Sequence, residues 1–240
     1  NGGPSASLGG PGLVEEERGV EPLRQCLSDS ALSACGWLEH LKTPAVGAAP
    51  ESRALHSAIL LFASVFRLQT SDVRQQLLGL MAAGATKAAA ASAKESSKGG
   101  LFGGGDKGNP NHASALASTG AALLGSLSQL WNKPSKSPLS PALAAPMEEI
   151  LTHCLADADP AIRRAAAQSA GLLSELLGPP FASSFVDKCA ARFAESKTKD
   201  ESRAGHALAL GCIARRAPPA AGPVYPLKKI VGLLADLAGE

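Results

Sequence analysis

The chain has 240 residues, 45% of them hydrophobic but only 4% aromatic, which is enough apolar material for a sizeable core and suits closely packed helices better than a β-sandwich. Its 23 basic and 21 acidic residues leave a net charge of +2, which excludes an electrostatic footprint for nucleic acid or an anionic membrane surface. Five scattered cysteines without a Cys-x-x-Cys pair argue against a disulfide framework, and no apolar run reaches the ~18 residues of a membrane span. Cys154, Cys189 and Cys212 fall on apolar positions of predicted helices, which points to a reducing, cytosolic compartment.

Residues 1–21, rich in Gly, Pro, Ser and Glu and without the basic and apolar regions of a signal peptide, are predicted to be disordered. From 22 to 84 the pattern is helical. Leu23, Leu27, Ala31, Ala34, Leu38 and Leu41 step by three or four. Leu55, Ile59, Phe62 and Phe66 form a second stripe, and Val73, Leu77, Leu80 and Met81 a third, after the capping signal Thr70-Ser71-Asp72. The second and third stripes make a hairpin. Residues 85–112 read as a flexible Gly/Lys-rich insertion, whose alanine-rich start is able to extend the preceding helix.

Helices resume over 113–240. Leu116, Leu123, Leu127, Leu130 and Trp131 mark the first, and prolines from Pro134 to Pro146 then break the chain, with Pro146 suited to the first turn of the next helix. Met147, Ile150, Leu151, Cys154 and Leu155 follow the i, i+3, i+4, i+7, i+8 template. Asp159 is an N-cap candidate with Pro160 at the first helical position. Ile162, Ala166, Ser169, Ala170, Leu173 and Leu177 continue a buried stripe until Gly178-Pro179. This unit, 147–178, is followed by another over 181–217, which pairs Phe185, Val186, Cys189 and Phe193 with Ala204, Ala207, Leu208 and Gly211. Tyr225 to Leu237 falls 40 residues after the helix holding Phe185 and is expected to open a further unit.

The last two units repeat each other. Arg163 and Arg203 lie 40 residues apart, as do Gly171 and Gly211. That interval is in the range of HEAT and armadillo repeats, in which each helical hairpin buries its apolar face only against its neighbours. The predicted fold is therefore all-α: an α-solenoid of such hairpins, a fragment of a longer array that begins at Asn1 rather than Met.

Candidate chemistry is sparse. Arg163 follows Asp159 by four residues and Arg203 follows Asp200 by three, so each guanidinium is placed to reach back to a carboxylate or to free carbonyls of the neighbouring unit, a structural ladder rather than a ligand site. Gly171 and Gly211 inside helices signal close helix approach. His206, after Gly205, aligns with the buried Ala166 and reads as a core histidine, since no second ligand recurs at helical spacing beside it. Gly103, Gly105 and Gly108 match the spacing of a dinucleotide fingerprint, but no strand precedes them, and Lys107 lacks the flanks of a phosphate loop. Ser137-Pro138 and Ser140-Pro141 suit proline-directed phosphorylation. No catalytic, cofactor-binding or metal-ligating set emerges, which points to a non-enzyme without cofactors.

The stretch Ser202-Arg-Ala-Gly-His-Ala-Leu-Ala-Leu-Gly-Cys-Ile213, preceded by Asp159-Pro-Ala-Ile-Arg-Arg-Ala-Ala-Ala-Gln-Ser-Ala-Gly171, resembles the large HEAT repeat-containing protein 5 family, which includes the plant protein SWEETIE. Leu61 to Leu80 resembles the helical pair upstream in that family. The resemblance implies a cytosolic scaffold recruited peripherally to trans-Golgi and endosomal membranes, working with the clathrin adaptor complex or its accessory proteins in vesicle traffic, with no nucleic acid and no integral membrane segment. It carries over no binding residues, because the shared motif concerns packing. The alternatives left open are another HEAT scaffold, a nuclear transport receptor or phosphatase scaffold, and the regulatory arm of an enzyme whose catalytic domain lies elsewhere.

Overall fold

The computed structural model describes residues 59–60, 62–98, 110–132, 139–195, 198–218 and 224–239. Among these residues every regular element is helical and none is a strand. The predicted disorder of 1–21, the stripe from Leu23 to Leu41, and Leu55, Cys26, Cys35, the three glycines 103, 105 and 108, Lys107 and Ser137 lie outside them.

After helical residues 62–66, helix α1 spans Ser71–Lys98. Thr70 starts it: its Oγ1 accepts from the Val73 amide at 3.5 Å, and its carbonyl takes the Arg74 amide at 3.0 Å. Asp72 adds negative charge in the first turn, where the helix dipole favours it. α1 continues to Lys98, so the alanine-rich start of the stretch 85–112 extends the preceding helix, and residues 99–109, which hold its glycine cluster, lie outside the described residues. Alanine has the highest helix propensity, and Ala82, Ala85 and Ala88 are buried against neighbouring helices, so these small side chains form a packing surface. Within the third stripe Leu80 is exposed and Leu78 is buried in its place.

Helix α2, Pro110–Asn132, starts three residues earlier than the predicted boundary at 113 and buries Leu116, Leu123, Leu127 and Leu130. Trp131, expected in the same stripe, points outward. Ser140 Oγ accepts from the Ala142 amide at 3.3 Å and caps a 3-10 turn, Pro141–Leu143, that runs directly into α3, Ala144–Leu155. Met147, Ile150, Leu151, Cys154 and Leu155 are all fully buried, as their spacing predicts. Pro146 sits in the first turn, where it removes no helical hydrogen bond.

Asp159 Oδ1 accepts from the Ala161 amide at 2.7 Å and so begins α4, Pro160–Leu177. Gly178 ends it at φ 80°, a left-handed conformation that glycine adopts without a Cβ penalty. α5, Pro179–Ala194, follows without an intervening loop. α6, Asp200–Arg215, lacks a side-chain cap because Lys199 occupies the N-cap, while Asp200 and Glu201 stabilise the first turn through the dipole. α7, Leu227–Gly239, completes the described chain and buries Ile230.

The helices pack against one another around a shared core. α1 packs on α3, α2 on α4, α4 on α6 and, more lightly, α5 on α7, and α3 also touches α6. Sequential neighbours pack as well, and one continuous core runs from Phe62 to Ile230. Ion pairs link alternate helices: Glu148 of α3 with Lys188 of α5, Glu175 of α4 with Arg216 just after α6, and Asp187 of α5 with Lys229 of α7. Their sequence separations are 40, 41 and 42 residues. Such exposed pairs each contribute roughly 0–1 kcal/mol, so they mark the stacking interval more than they stabilise it.

Buried positions of α4 and α6 correspond at the 40-residue interval: Ala166 with His206, Ser169 with Ala209, Ala170 with Leu210, and Leu173 with Ile213. This corrects the stripe expected in the second unit. Ala204, Leu208 and Gly211 are exposed and Ala207 is half-buried, whereas Gly205, His206, Ala209, Leu210 and Ile213 form the buried face. The apolar residues of α6 occupy both sides of the helix, so periodicity alone selected the wrong side.

Candidate functional site

Most residues singled out by the sequence hold the helices together. Arg163 reaches back as expected, but to its own turn: Nη1 donates to the carbonyls of Asp157 at 2.7 Å and Ala158 at 2.8 Å, which follow α3. Asp159 and Pro160 set the turn, with Asp157 Oδ1 accepting from the Asp159 amide at 2.8 Å. Burial pushes the Asp157 carboxyl above its usual range, against the opposing pull of that amide bond. Arg203 occupies the same place on α6 as Arg163 on α4, since each amide bonds the carbonyl of its N-cap residue, Lys199 or Asp159. Asp200 is the first helical residue rather than the cap.

Arg74, which the repeat interval did not reveal, repeats this device on α1. It also lies four residues after its N-cap, Thr70, and it is completely buried. Nε donates to the Phe66 carbonyl at 3.1 Å, Nη2 donates to that of Arg67, and the guanidinium lies 5.8 Å from the Phe66 ring centroid. The spacing from its cap was legible in Thr70-Ser71-Asp72-Val73-Arg74. The 40-residue interval was not, because α1 and α2 are 28 and 23 residues long.

The glycines divide by role. A Cβ on Gly171 would stand 2.9 Å from the Cys212 carbonyl oxygen, and one on Gly205 would stand 2.8 Å from the Leu155 carbonyl carbon and closer still to its oxygen. A Cβ on Gly211 would meet nothing within 4 Å. Close helix approach therefore belongs to Gly171 and Gly205, and the role expected of Gly211 is corrected. Gly211→Ala is expected to raise stability by ~0.5–1 kcal/mol through helix propensity. Gly171→Ala is expected to lower it by ~1–2 kcal/mol despite the same gain, because a backbone carbonyl must move; thermal melts of the two variants compare the effects directly.

His206 is buried and its Nδ1 donates to the Ser202 carbonyl at 2.7 Å, the arrangement expected of a core histidine. Burial holds its pKa below the ordinary histidine value; the Ser202 bond opposes this, and the charge of Arg192 adds to it. His153, half-buried beside Thr86, is lowered by burial as well, against Glu149. For a base whose folded pKa is depressed, the unfolded chain binds protons first as pH falls. Stability is therefore fully present above the unfolded value of about 6.5 and declines below it. Melting temperature is expected to fall between pH 7.5 and 5.5, with a shallower slope in His206→Gln.

Cys154 and Cys189 are free and buried, with thiols pushed up to about 12 by desolvation, which makes them inert packing groups. Tyr225 precedes α7, and its hydroxyl proton is shared between Ser174 Oγ and the Ile213 carbonyl, both at 3.2 Å, which stitches α4 and α6 to the start of α7. No group of three or more His, Cys, Asp or Glu able to hold a metal occurs among the described residues.

The surface feature with recognition chemistry lies where α2, α4 and α6 line up. A cleft of about 780 Å³ is bordered by Trp131, Gln168, Glu175, Cys212, Arg215 and Arg216. Trp131 is 45% exposed, and the Arg216 guanidinium stacks 5.2 Å from its ring centroid while donating to Glu175 at 2.8 Å. The cleft thus combines an aromatic plane, a fixed cation and a carboxylate across three helices. Single-sequence periodicity hid it by assigning Trp131 to the core.

No helix among the described residues is long and apolar enough to cross a membrane. Compared with models of protein families, with curated proteins and with solved structures, the chain gives no match.

Proposed function

We propose that the chain is a stretch of HEAT-type α-solenoid acting as a non-enzymatic scaffold that binds other proteins. The observation that carries the reading is the set of cross-links between alternate helices that recur at 40 to 42 residues, the interval at which stacked hairpins shield each other's apolar faces. In such an array the extended surface, rather than an enclosed pocket, meets the partner. The Trp131–Arg216 cleft spans three helices, α2, α4 and α6, and exposed aromatic and arginine side chains are the types that anchor protein interfaces.

The Ser202 to Ile213 stretch supports placing this scaffold in clathrin-adaptor-linked traffic between endosomes and the trans-Golgi network. Affinity capture from cell extract with the 240-residue chain is the test. Recovery of clathrin adaptor subunits, reduced by Trp131→Ala, is the expected result. Recovery instead of a Ran-type GTPase or a phosphatase catalytic subunit would assign the scaffold to nuclear transport or to phosphatase assembly.

A further inference from the structure

The cleft between Trp131 and Arg216 lies over α4, which packs on both α2 and α6. Both flanks of α4 are therefore taken. A helix following α7 would stack beyond α6 and α7, so the chain's own continuation does not fill this space. The cation in the cleft is held ready. Arg216 donates through Nη1 to Glu175 at 2.8 Å and lies 5.2 Å from the Trp131 ring centroid. Nη1 supplies that one bond to a carboxylate, although a guanidinium carries five N–H donors in a planar fork. The exposed Gln168 amide and the Trp131 indole bring further donors to the same cleft.

We propose that this cleft binds an extended acidic segment of a partner protein, whose carboxylate exchanges with Glu175 on Arg216 while an apolar side chain lies on Trp131. The inference rests on the scaffold reading and gives its partner a chemistry. Charge selects the occupant. Arg215 and Arg216 border the cleft against Glu175 alone, so an incoming acid balances it, and a guanidinium fixed in advance loses little freedom on binding. The chain segments that adjoin the cleft supply no acid: residues 133–138 contain two lysines, and 219–223 contain no charge. An acidic run elsewhere in the chain, Glu15, Glu16 and Glu17, lies outside the described residues.

The probe is a fluorescein-labelled peptide, Gly-Ser-Pro-Leu-Glu-Glu-Pro-Gly-Ser, kept extended by its prolines; in the control peptide both glutamates are glutamines. Titration with the 240-residue chain, read as fluorescence anisotropy, should show saturable binding, with the control about fivefold weaker. Trp131→Ala should weaken binding about tenfold, as loss of an aromatic anchor does. Arg216→Gln should remove the preference for the acidic peptide. Glu175→Gln should tighten binding of the acidic peptide about threefold, because the competing carboxylate is gone; a gain of this kind cannot come from a damaged fold. Absence of binding, equal binding of the two peptides, or Glu175→Gln leaving the affinity unchanged overturns the proposal. Tighter binding to a chain with Glu15→Gln, Glu16→Gln and Glu17→Gln does so too, because the occupant is then the chain's own acidic run. Dimerisation in sedimentation that Trp131→Ala abolishes would assign the cleft to a second copy instead. If the parent and Arg216→Gln chains capture adaptor subunits equally while the peptide fails to bind, the scaffold reading stands and this inference alone falls.

Discussion

Gly205→Ala is expected to destabilise the fold by more than ~3 kcal/mol, the largest effect of any single methyl added to the described helices. Ordinary overpacking costs ~1–3 kcal/mol because flexible side chains yield. At Gly205 the obstacle is backbone: the added carbon would stand 2.8 Å from the Leu155 carbonyl carbon and nearer its oxygen, so α6 must move off the end of α3. That displacement would loosen the contact between the two helices and disturb His206, whose neighbouring position is buried in the same face. Chemical denaturation of Gly205→Ala beside Gly211→Ala provides the measurement. The two substitutions gain the same helix propensity, so equal midpoints for both would refute the close-approach account. The stretch Ala204-Gly205-His206 then owes its glycine to a crossing point rather than to a turn.

Removal of the Arg74 side chain is the second large expectation. Arg74→Ala should cost about 3–5 kcal/mol, because it empties a fully buried site and leaves the carbonyls of Phe66 and Arg67 without this donor. Desolvation already opposes the charged guanidinium, lowering its pKa, and the two carbonyl bonds and the Phe66 ring offset that cost. Arg74→Lys should recover less than half of the loss, since an ammonium on a flexible stem does not reproduce a planar fork that meets two carbonyls. A denaturation midpoint for Arg74→Lys equal to that of the parent chain would show that charge alone suffices. Arg163→Ala should cost less, about 1–2 kcal/mol, because its carbonyl partners are nearer to solvent and water can replace the donor.

Both predictions arise at places where sequence reasoning stopped short. The full burial of Met147, Ile150, Leu151, Cys154 and Leu155 was legible because their spacing admits only one apolar face. The Asp159 cap and the Gly178 stop were legible because each rests on local chemistry, a carboxylate accepting a backbone amide and a left-handed residue. On α6, small and apolar residues occur on both sides, so the pattern offered two candidate faces and the exposed one was chosen. On α1, the alanine-rich stretch is legible as helix from its propensity, but composition does not reveal that a neighbouring helix lies within reach of Ala85 and Ala88. Spacing alone places Trp131 in the apolar stripe of α2, whereas in the fold it is 45% exposed and the Arg216 guanidinium lies 5.2 Å from its ring centroid.

The sequence by itself determined helical class, most element starts and stops, and the 40-residue correspondence between α4 and α6, all of which depend on interactions within a few residues or on repetition of them. Only the tertiary structure decided which glycines touch backbone, which arginine is buried, and which face of α6 is left open. Those properties depend on the distance between helices far apart in the chain, and a helix with two apolar sides carries no local term that selects between them.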